Sequence, residues 1–237
     1  MSGLVGFASH PLGVNDPYVG FAAAPSSGPP GSPLAWYDPS DISSLTVAGG
    51  LCSQMNDKSG NGHHVTASGT ARPQSGLDTI NGLNALTFAA TTTTMASDAI
   101  VQAQPYTVFI VCQLKTAGGT NNQLLDSLAA RPTIGQNSGS DWFYYGGSSV
   151  VLSSTALDLN AHEVDAIFNG ASSSLQLDGA TIATGNPGAN SLNVIGINNP
   201  STGWPGKTAE IIFYATALGS TLRLSVQSYL KSKWGTP

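Results

Sequence analysis

The sequence predicts an all-β sandwich of antiparallel strands with one helix at its C-terminal end and an extended arm at its N-terminal end. Three observations carry this. The chain of 237 residues holds 28 Gly and 14 Pro yet is 41% hydrophobic, a composition suited to many short strands joined by turns. After Pro33 short β-rich runs alternate with turn signals. A sustained helical period occurs once, in "STLRLSVQSYLKSKWG".

The arm comes first. In residues 1–33 Pro and Gly recur without a strand or helix period, and "VGFA" appears at Val5 and again at Val19, placing Phe7 and Phe21 in the same setting. Such a segment gains order by docking on a partner, so Val5, Phe7, Val19 and Phe21 are expected to be assembly contacts. Residues 34–237 are expected to form one domain, since all-β units of this size commonly do not divide.

Strands are expected at Leu34 to Tyr37, Ala85 to Phe88, Thr107 to Leu114, Leu124 to Asp126, Trp142 to Tyr145, His162 to Phe168, Leu175 to Leu177, Thr181 to Thr184, Leu192 to Ile197 and Ala209 to Tyr214. In "SLQLDGATIA" the pair Asp178-Gly179 separates two alternating runs, and Asp-Gly readily takes the positive φ angles of a two-residue hairpin turn. In the closing segment Ser220 suits an N-cap, and Leu222, Val226, Tyr229, Leu230 and Trp234 fall on one stripe. Lys231 and Lys233 favour the negative C-terminal end of that helix, and Gly235 can close it.

Charge excludes one class of partner. Only 9% of residues are charged, with Lys plus Arg at 8 against 13 Asp plus Glu, so there is no basic surface to neutralise a phosphate backbone. The opening "MSGLVGFASHPLG" has no basic or apolar targeting region and no later run approaches a membrane span, which points to a soluble protein made in the cytoplasm without membrane insertion. Cys52 and Cys112 lack CxxC spacing and are expected to be free thiols.

The stretch "NDKSGNGHH", Asn56 to His64, concentrates oxygen donors, glycines and histidines. Asp57, Ser59, Asn61 and Gly62 match the first positions of a calcium loop, but Ser68 stands where the bidentate carboxylate belongs. Neighbouring His63 and His64 point to opposite sides of an extended segment and cannot easily grip one ion. An Asx-type structural turn is therefore the expectation, with no cofactor; if a metal were bound, Asp57, Ser59 and Asn61 would be its first ligands.

"LAWYDPSDISSLT", "MNDKSGNGHHVTASGTARPQ", "INGLNALTF", "YTVFIVCQL", "HEVDAIFNGASSSLQLDG" and "TAEIIFYATALGSTLRLSVQSYLKSKWG" follow one another in this order. Together they resemble the concanavalin A-like (laminin G-like) jelly-roll modules of phage and bacterial surface proteins, over Leu34 to Gly235. The resemblance implies a two-sheet antiparallel jelly roll. It leaves function open, because lectins, adhesins, structural modules and glycosidases share the fold. The Pro/Gly-rich arm also resembles attachment segments of phage structural proteins.

Glycosidases of that superfamily carry an E-x-D-x-x-E strand that places two carboxyls about one scissile bond. This chain has two glutamates, Glu163 and Glu210, and neither begins such a motif. "HEVDA" lacks the second histidine of a zinc-protease signature, and no G-x-S-x-G elbow occurs. No catalytic residue is assigned, and Glu163 is expected to be a solvated strand residue. Loop and strand aromatics are the better lead, because sugar C–H faces stack on Trp and Tyr while amides bind hydroxyls. Trp204, Trp142, Tyr144, Asn198 and Asn199 are the candidate carbohydrate-binding residues, with Tyr145 turned to the opposite side of its strand from Trp142 and Tyr144. Trp36, Phe109, Phe168, Phe213 and Trp234 are assigned to the core.

The expectation is thus a non-enzymatic virion protein of tail-fibre or head-spike type. Its arm would dock on other virion structural proteins, its jelly roll would bind host surface polysaccharide, and it would be a homo-oligomer in the particle. Alternatives are a head decoration or tail component without glycan affinity, and a cryptic glycosidase or bacterial adhesin.

Overall fold

The computed structural model describes residues 28–89, 92–116, 122–127, 131–137, 141–156 and 158–237; Val5, Phe7, Val19 and Phe21 of the expected arm lie outside them. The strands are β1 (Ala35–Tyr37), β2 (Leu45–Ala48), β3 (Leu51–Met55), β4 (Val65–Thr66), β5 (Gln74–Ile80), β6 (Leu83–Phe88), β7 (Met95–Ser97), β8 (Tyr106–Leu114) and β9 (Asn122–Asp126). They continue as β10 (Thr133–Gln136), β11 (Asp141–Tyr145), β12 (Val150–Ala156), β13 (Ala161–Phe168), β14 (Ser174–Leu177), β15 (Ala180–Thr184), β16 (Gly196–Ile197) and β17 (Gly206–Tyr214). One helix, α1 (Ser220–Trp234), closes the chain.

Every pairing between two of these strands is antiparallel. Where two separate sheets were expected, the strands join into one hydrogen-bonded sheet that wraps around the core. The join is β3, which pairs with β2, β4 and β5. From β5 the pairing runs through β6, β17, β8, β13 and β14 to β15. From β4 it runs through β7, β16, β9, β10 and β11 to β12. At the opposite margin the residue after β15, Gly185, packs so closely on β12 that a Cβ there would meet Val151 Cγ1 at 3.4 Å.

Strand alternation divides the core into two layers. Along β8, Tyr106, Val108, Ile110, Cys112 and Leu114 face the main core inside the wrap, and Phe109 and Val111 face α1. The wide apolar run "YTVFIVCQL" therefore reads as a strand buried on both faces. Phe168 and Phe213 lie in the main core and Phe109 and Trp234 in the helix-side layer, whereas Trp36 is half-buried beside the latter. Both cysteines are free and buried, and burial pushes the Cys52 thiol up to about 11.

The terminal signals act as expected. Asp178 and Gly179 both take positive φ, 50° and 81°, in the β14–β15 hairpin. Gly235 caps α1 in the left-handed region at φ 67°, its N–H donating to Lys231 O; Gly219 rather than Ser220 is the N-cap. A buried polar knot ties this helix to the opening "WYD" box. Glu210 of β17 accepts hydrogen bonds from Trp36 Nε1 (2.6 Å), Tyr229 OH (2.7 Å), Lys233 Nζ (2.7 Å) and Trp234 Nε1 (2.7 Å). Lys233 also pairs with Asp38 at 2.8 Å, so its buried charge is held by two carboxylates.

Asp57 forms the expected turn. Its carboxylate accepts from the backbone N–H groups of Trp36 (2.9 Å), Ser59 (2.9 Å) and His63 (3.0 Å) and from Ser59 Oγ (2.8 Å). Those donors use the oxygens that a calcium ion would need, and Asn61 turns its Nδ2 to donate to Pro33 O and Leu34 O. The loop thereby fixes residues 33–36 against β3 and β4.

Candidate functional site

The sequence-predicted sugar contacts are largely interior. Trp204 and Trp142 are each 1% exposed and stack on one another, ring centroids 5.4 Å apart. Tyr144 is buried with its hydroxyl donating to Gly185 O at 3.1 Å. Asn198 is also buried: its Nδ2 donates to Ala89 O and Thr93 O, and its Oδ1 accepts from Trp204 N–H. These four shape the core and its loop, so the expected stacking face on Trp204 and Trp142 is corrected. The loop "NNPSTGWPG" is polar because its polar groups bond its own backbone, which lets the indole turn inward.

The structure turns the other side of the same strand outward. Across β9 to β12 the register sets Asp126, Thr133, Tyr145 and Val150 in one cross-strand row and Gln123, Gly135, Phe143 and Leu152 in the next. Because Trp142 and Tyr144 point into the main core, Phe143 and Tyr145 lie on the other side of the strand, as period-two alternation requires, Phe143 covered at 6% exposure and Tyr145 half-buried. Val150 and Leu152 are 55% and 50% exposed. Gly135 keeps the middle of this face low; a Cβ there would lie 2.2 Å from Asn122 O.

Gln123, Arg131, Thr133, Asn137, Phe143, Tyr145 and Val150 enclose a concavity of about 260 Å³ on this face. Arg131 is its one ionic lining residue among the described residues. It holds a left-handed φ of 56°, a conformation costly for a side-chain-bearing residue and favoured where the surroundings fix it. With the Gln123 amide turned so that its oxygen meets donors and its nitrogen acceptors, Arg131 Nη2 donates to the Gln123 oxygen at 3.2 Å and the Gln123 nitrogen donates to Asp126 Oδ2 at 2.8 Å. Asp126 in turn accepts from Asn199 Nδ2 at 2.6 Å, and Asn199 Oδ1 accepts from Ser201 and Thr202 N–H. Asn199 thus stands behind the concavity through Asp126 and Gln123. The available sequence signal was the alternation in "DWFYY": once one side is assigned to the core, Phe143 and Tyr145 remain.

Glu163 is also corrected. It is 2% exposed rather than solvated, and neither carboxyl oxygen has a hydrogen-bond partner among the described residues. Burial, then the charges of Asp165 and Asp178, push its pKa well above the usual carboxylate range against the opposing pull of Arg223.

No protein-family model matches the chain, and no curated protein matches it. Solved structures do. A sialidase from Trypanosoma rangeli in complex with the inhibitor DANA aligns over 88% of this chain at 13% identity, with a TM-score of 0.62. The chain spans about a third of that sialidase, 35% of its length. Domain 4 of AbnA, a GH43 extracellular arabinanase from Geobacillus stearothermophilus in complex with arabinotriose, aligns over 82% of this chain and 98% of its own, at 12% identity and a TM-score of 0.60. A GH54 α-L-arabinofuranosidase aligns over 78% of this chain and 51% of its own, at 13% identity and a TM-score of 0.57. At these identities the likeness is one of fold: an antiparallel β architecture found in carbohydrate-active proteins. The expectation of a chain without enzymatic activity is overturned as a reading of this fold, since these three structures come from a sialidase, an arabinanase and an arabinofuranosidase. A particle setting draws no support from them.

Proposed function

We propose that the chain is a carbohydrate-recognising domain that grips an oligosaccharide on the outer face of β9 to β12. The observation that carries this reading is the outward register of Phe143, Tyr145, Val150 and Leu152 beside Arg131, Gln123, Thr133 and Asn137. Apolar and aromatic faces accept sugar C–H groups, and the guanidinium and amides bind hydroxyl or carboxylate oxygens. The shared fold of arabinanase domain 4, solved with arabinotriose and matched over nearly its whole length, supports the reading. On this proposal the wrapped sheet is a variant of the concanavalin A-like jelly roll, and its ligand is a cell-surface polysaccharide.

Titration of the protein with arabinan-derived, sialylated and capsular oligosaccharides, following both retention and chain length, tests the proposal. Binding to one class should weaken roughly five- to tenfold in Tyr145→Ala, since a lost aromatic contact is worth about 1 to 1.4 kcal/mol. Undiminished binding in a Phe143→Ala/Tyr145→Ala double variant would rule this face out. Shortened chains would add hydrolysis to recognition.

A further inference from the structure

The chain has two glutamates, and the fold treats them oppositely. Glu210 accepts four hydrogen bonds from side-chain donors. Glu163 is as deeply buried and accepts none. It sits on β13 opposite Val111 of β8, on the face that α1 covers.

Three of the donors around it, Arg223, Gln227 and His162, are already committed. Asp165, two residues along the strand, takes the Arg223 guanidinium and Gln227 Nε2. Asp178 of the hairpin takes His162 Nδ1 at 2.6 Å and the Glu163 backbone N–H at 2.9 Å. Lys231, the one cation lining the adjoining cavity, is exposed and makes no ion pair with a carboxylate among the described residues. A buried acid left unpaired costs free energy, so it persists where something outside the chain uses it.

That cavity, about 300 Å³, is lined by Glu163, Asp178, Gln227, Ser228 and Thr236 together with Leu224 and Lys231. Thr236 Oγ1 is a further buried polar atom of this lining without a partner among the described residues. Gln227 spends its Nε2 on Asp165 and Gln176 (2.8 and 2.7 Å), leaving its Oε1 turned toward Gly179 at the cavity wall. The wall is therefore rich in oxygen acceptors. It calls for an occupant made of donors.

We propose that this cavity is a binding site for a primary ammonium group carried by a small molecule, with the Glu163 carboxylate as its counter-ion and Gln227 Oε1 and the Thr236 hydroxyl as further acceptors. An ammonium offers three donors and one positive charge, which matches this set. A divalent cation fits less well, because no group of three or more His, Cys, Asp or Glu side chains is placed to hold one among the described residues.

In the empty cavity burial and the neighbouring Asp165 and Asp178 raise the Glu163 pKa well above the usual carboxylate range, Arg223 opposing them, with buried Cys112 on the neighbouring strand β8. An arriving ammonium reverses that balance. Binding then converts the carboxyl to carboxylate and releases its proton to solvent.

Calorimetric titration of the whole chain with glucosamine, N-acetylglucosamine, glucose, ethylammonium and calcium, at about pH 6 where a free amine is protonated, tests this. Repeating it in buffers of different ionisation heat counts protons. Glucosamine and ethylammonium should bind with release of up to one proton, N-acetylglucosamine and glucose should not, and the preference between the two amines separates an amino sugar from a simple amine. Glu163→Gln should weaken binding at least tenfold and abolish proton release; Thr236→Val should weaken it severalfold if the first variant fails to fold. Tyr145→Ala should leave amine binding unchanged, which keeps this site separate from the sheet face. Equal binding of the acetylated and free sugars, amine binding that Glu163→Gln leaves unaltered, calcium binding in place of the amine, or no binding at all would each overturn it.

Discussion

Single carboxylates show how environment sets the sign of a charge's contribution. Asp57 is pushed up by burial, but the N–H groups of Trp36, Ser59 and His63 and the Ser59 hydroxyl outweigh this and hold it below the usual range. Its stabilisation is therefore complete above the unfolded-state pKa, about 3.9, and is lost as pH falls through the folded value. Asp57→Ala should cost about 2 to 4 kcal/mol in urea unfolding at neutral pH, because it strands backbone donors, and should flatten the acid limb of the stability profile. Glu163 runs the other way. With its folded pKa raised, the native state holds a proton that the unfolded chain gives up, so stability falls as pH rises above the unfolded value. Glu163→Gln should raise the melting temperature at pH 7 and change it little near pH 4. An equal effect at both pH values would refute the protonated reading.

At the scale of elements, β11 divides its labour between two faces. Trp142 and Tyr144 belong to the main core, and Phe143 and Tyr145 to the concave outer face. Trp142→Ala should cost about 3 to 5 kcal/mol, the usual range for truncating a buried aromatic. Tyr145→Ala should cost under about 1 kcal/mol while weakening the proposed glycan binding roughly five- to tenfold. Thermal melts and binding titrations on the two variants separate the faces; similar stability losses in both would mean that the strand is rotated from the register described here. The helix shows the same economy. Its stripe residues Val226, Leu230 and Trp234 pack on the sheet, while Lys233 and Tyr229 join the Glu210 knot, so α1 is held by polar bonds as well as apolar burial.

For the whole molecule, the boundary between arm and domain is open to measurement. Residues 28–33 already pack on the domain: Tyr214 OH donates to Pro30 O at 2.5 Å, and a Cβ on Gly28 would lie 2.9 Å from the Trp36 ring. Deleting residues 1–27 should leave the melting transition unchanged. Extending the deletion through Ser32 should lower it by a few degrees, because the buried Tyr214 hydroxyl loses its acceptor and the Trp36 ring is uncovered. If removing 1–27 alone unfolds the chain, those residues are part of the domain rather than an attachment segment.

The all-β class, the Asp178-Gly179 hairpin, the Asp57 turn and the closing helix with its Gly235 cap were all legible in the sequence. Each rests on local physics: positive φ at Asp-Gly, a short acceptor side chain next to its own backbone, a stripe at helical period. Strands β2, β3, β4, β5, β7, β10 and β12 were not legible, and the expected strand Leu192 to Ile197 is only Gly196–Ile197, since segments such as "VVLSSTA" and "QSGLDTI" carry weak patterns and gain strand geometry from the partners that tertiary folding brings beside them. Period-two alternation in "DWFYY" separated Tyr145 from Trp142 and Tyr144, but no local rule says which side meets the core. The stacking of Trp142 on Trp204, distant in the chain, decides that, and with it the candidate site moves to the opposite face. Glu163 makes the same point for charge. Its strand reads as any strand with a solvated acid, and only the placement of α1 over β13, with Arg223 and Gln227 already taken by Asp165, leaves that carboxyl buried and unpaired. Burial is a property of the distant elements that cover a residue, which is why the tertiary structure alone assigns it.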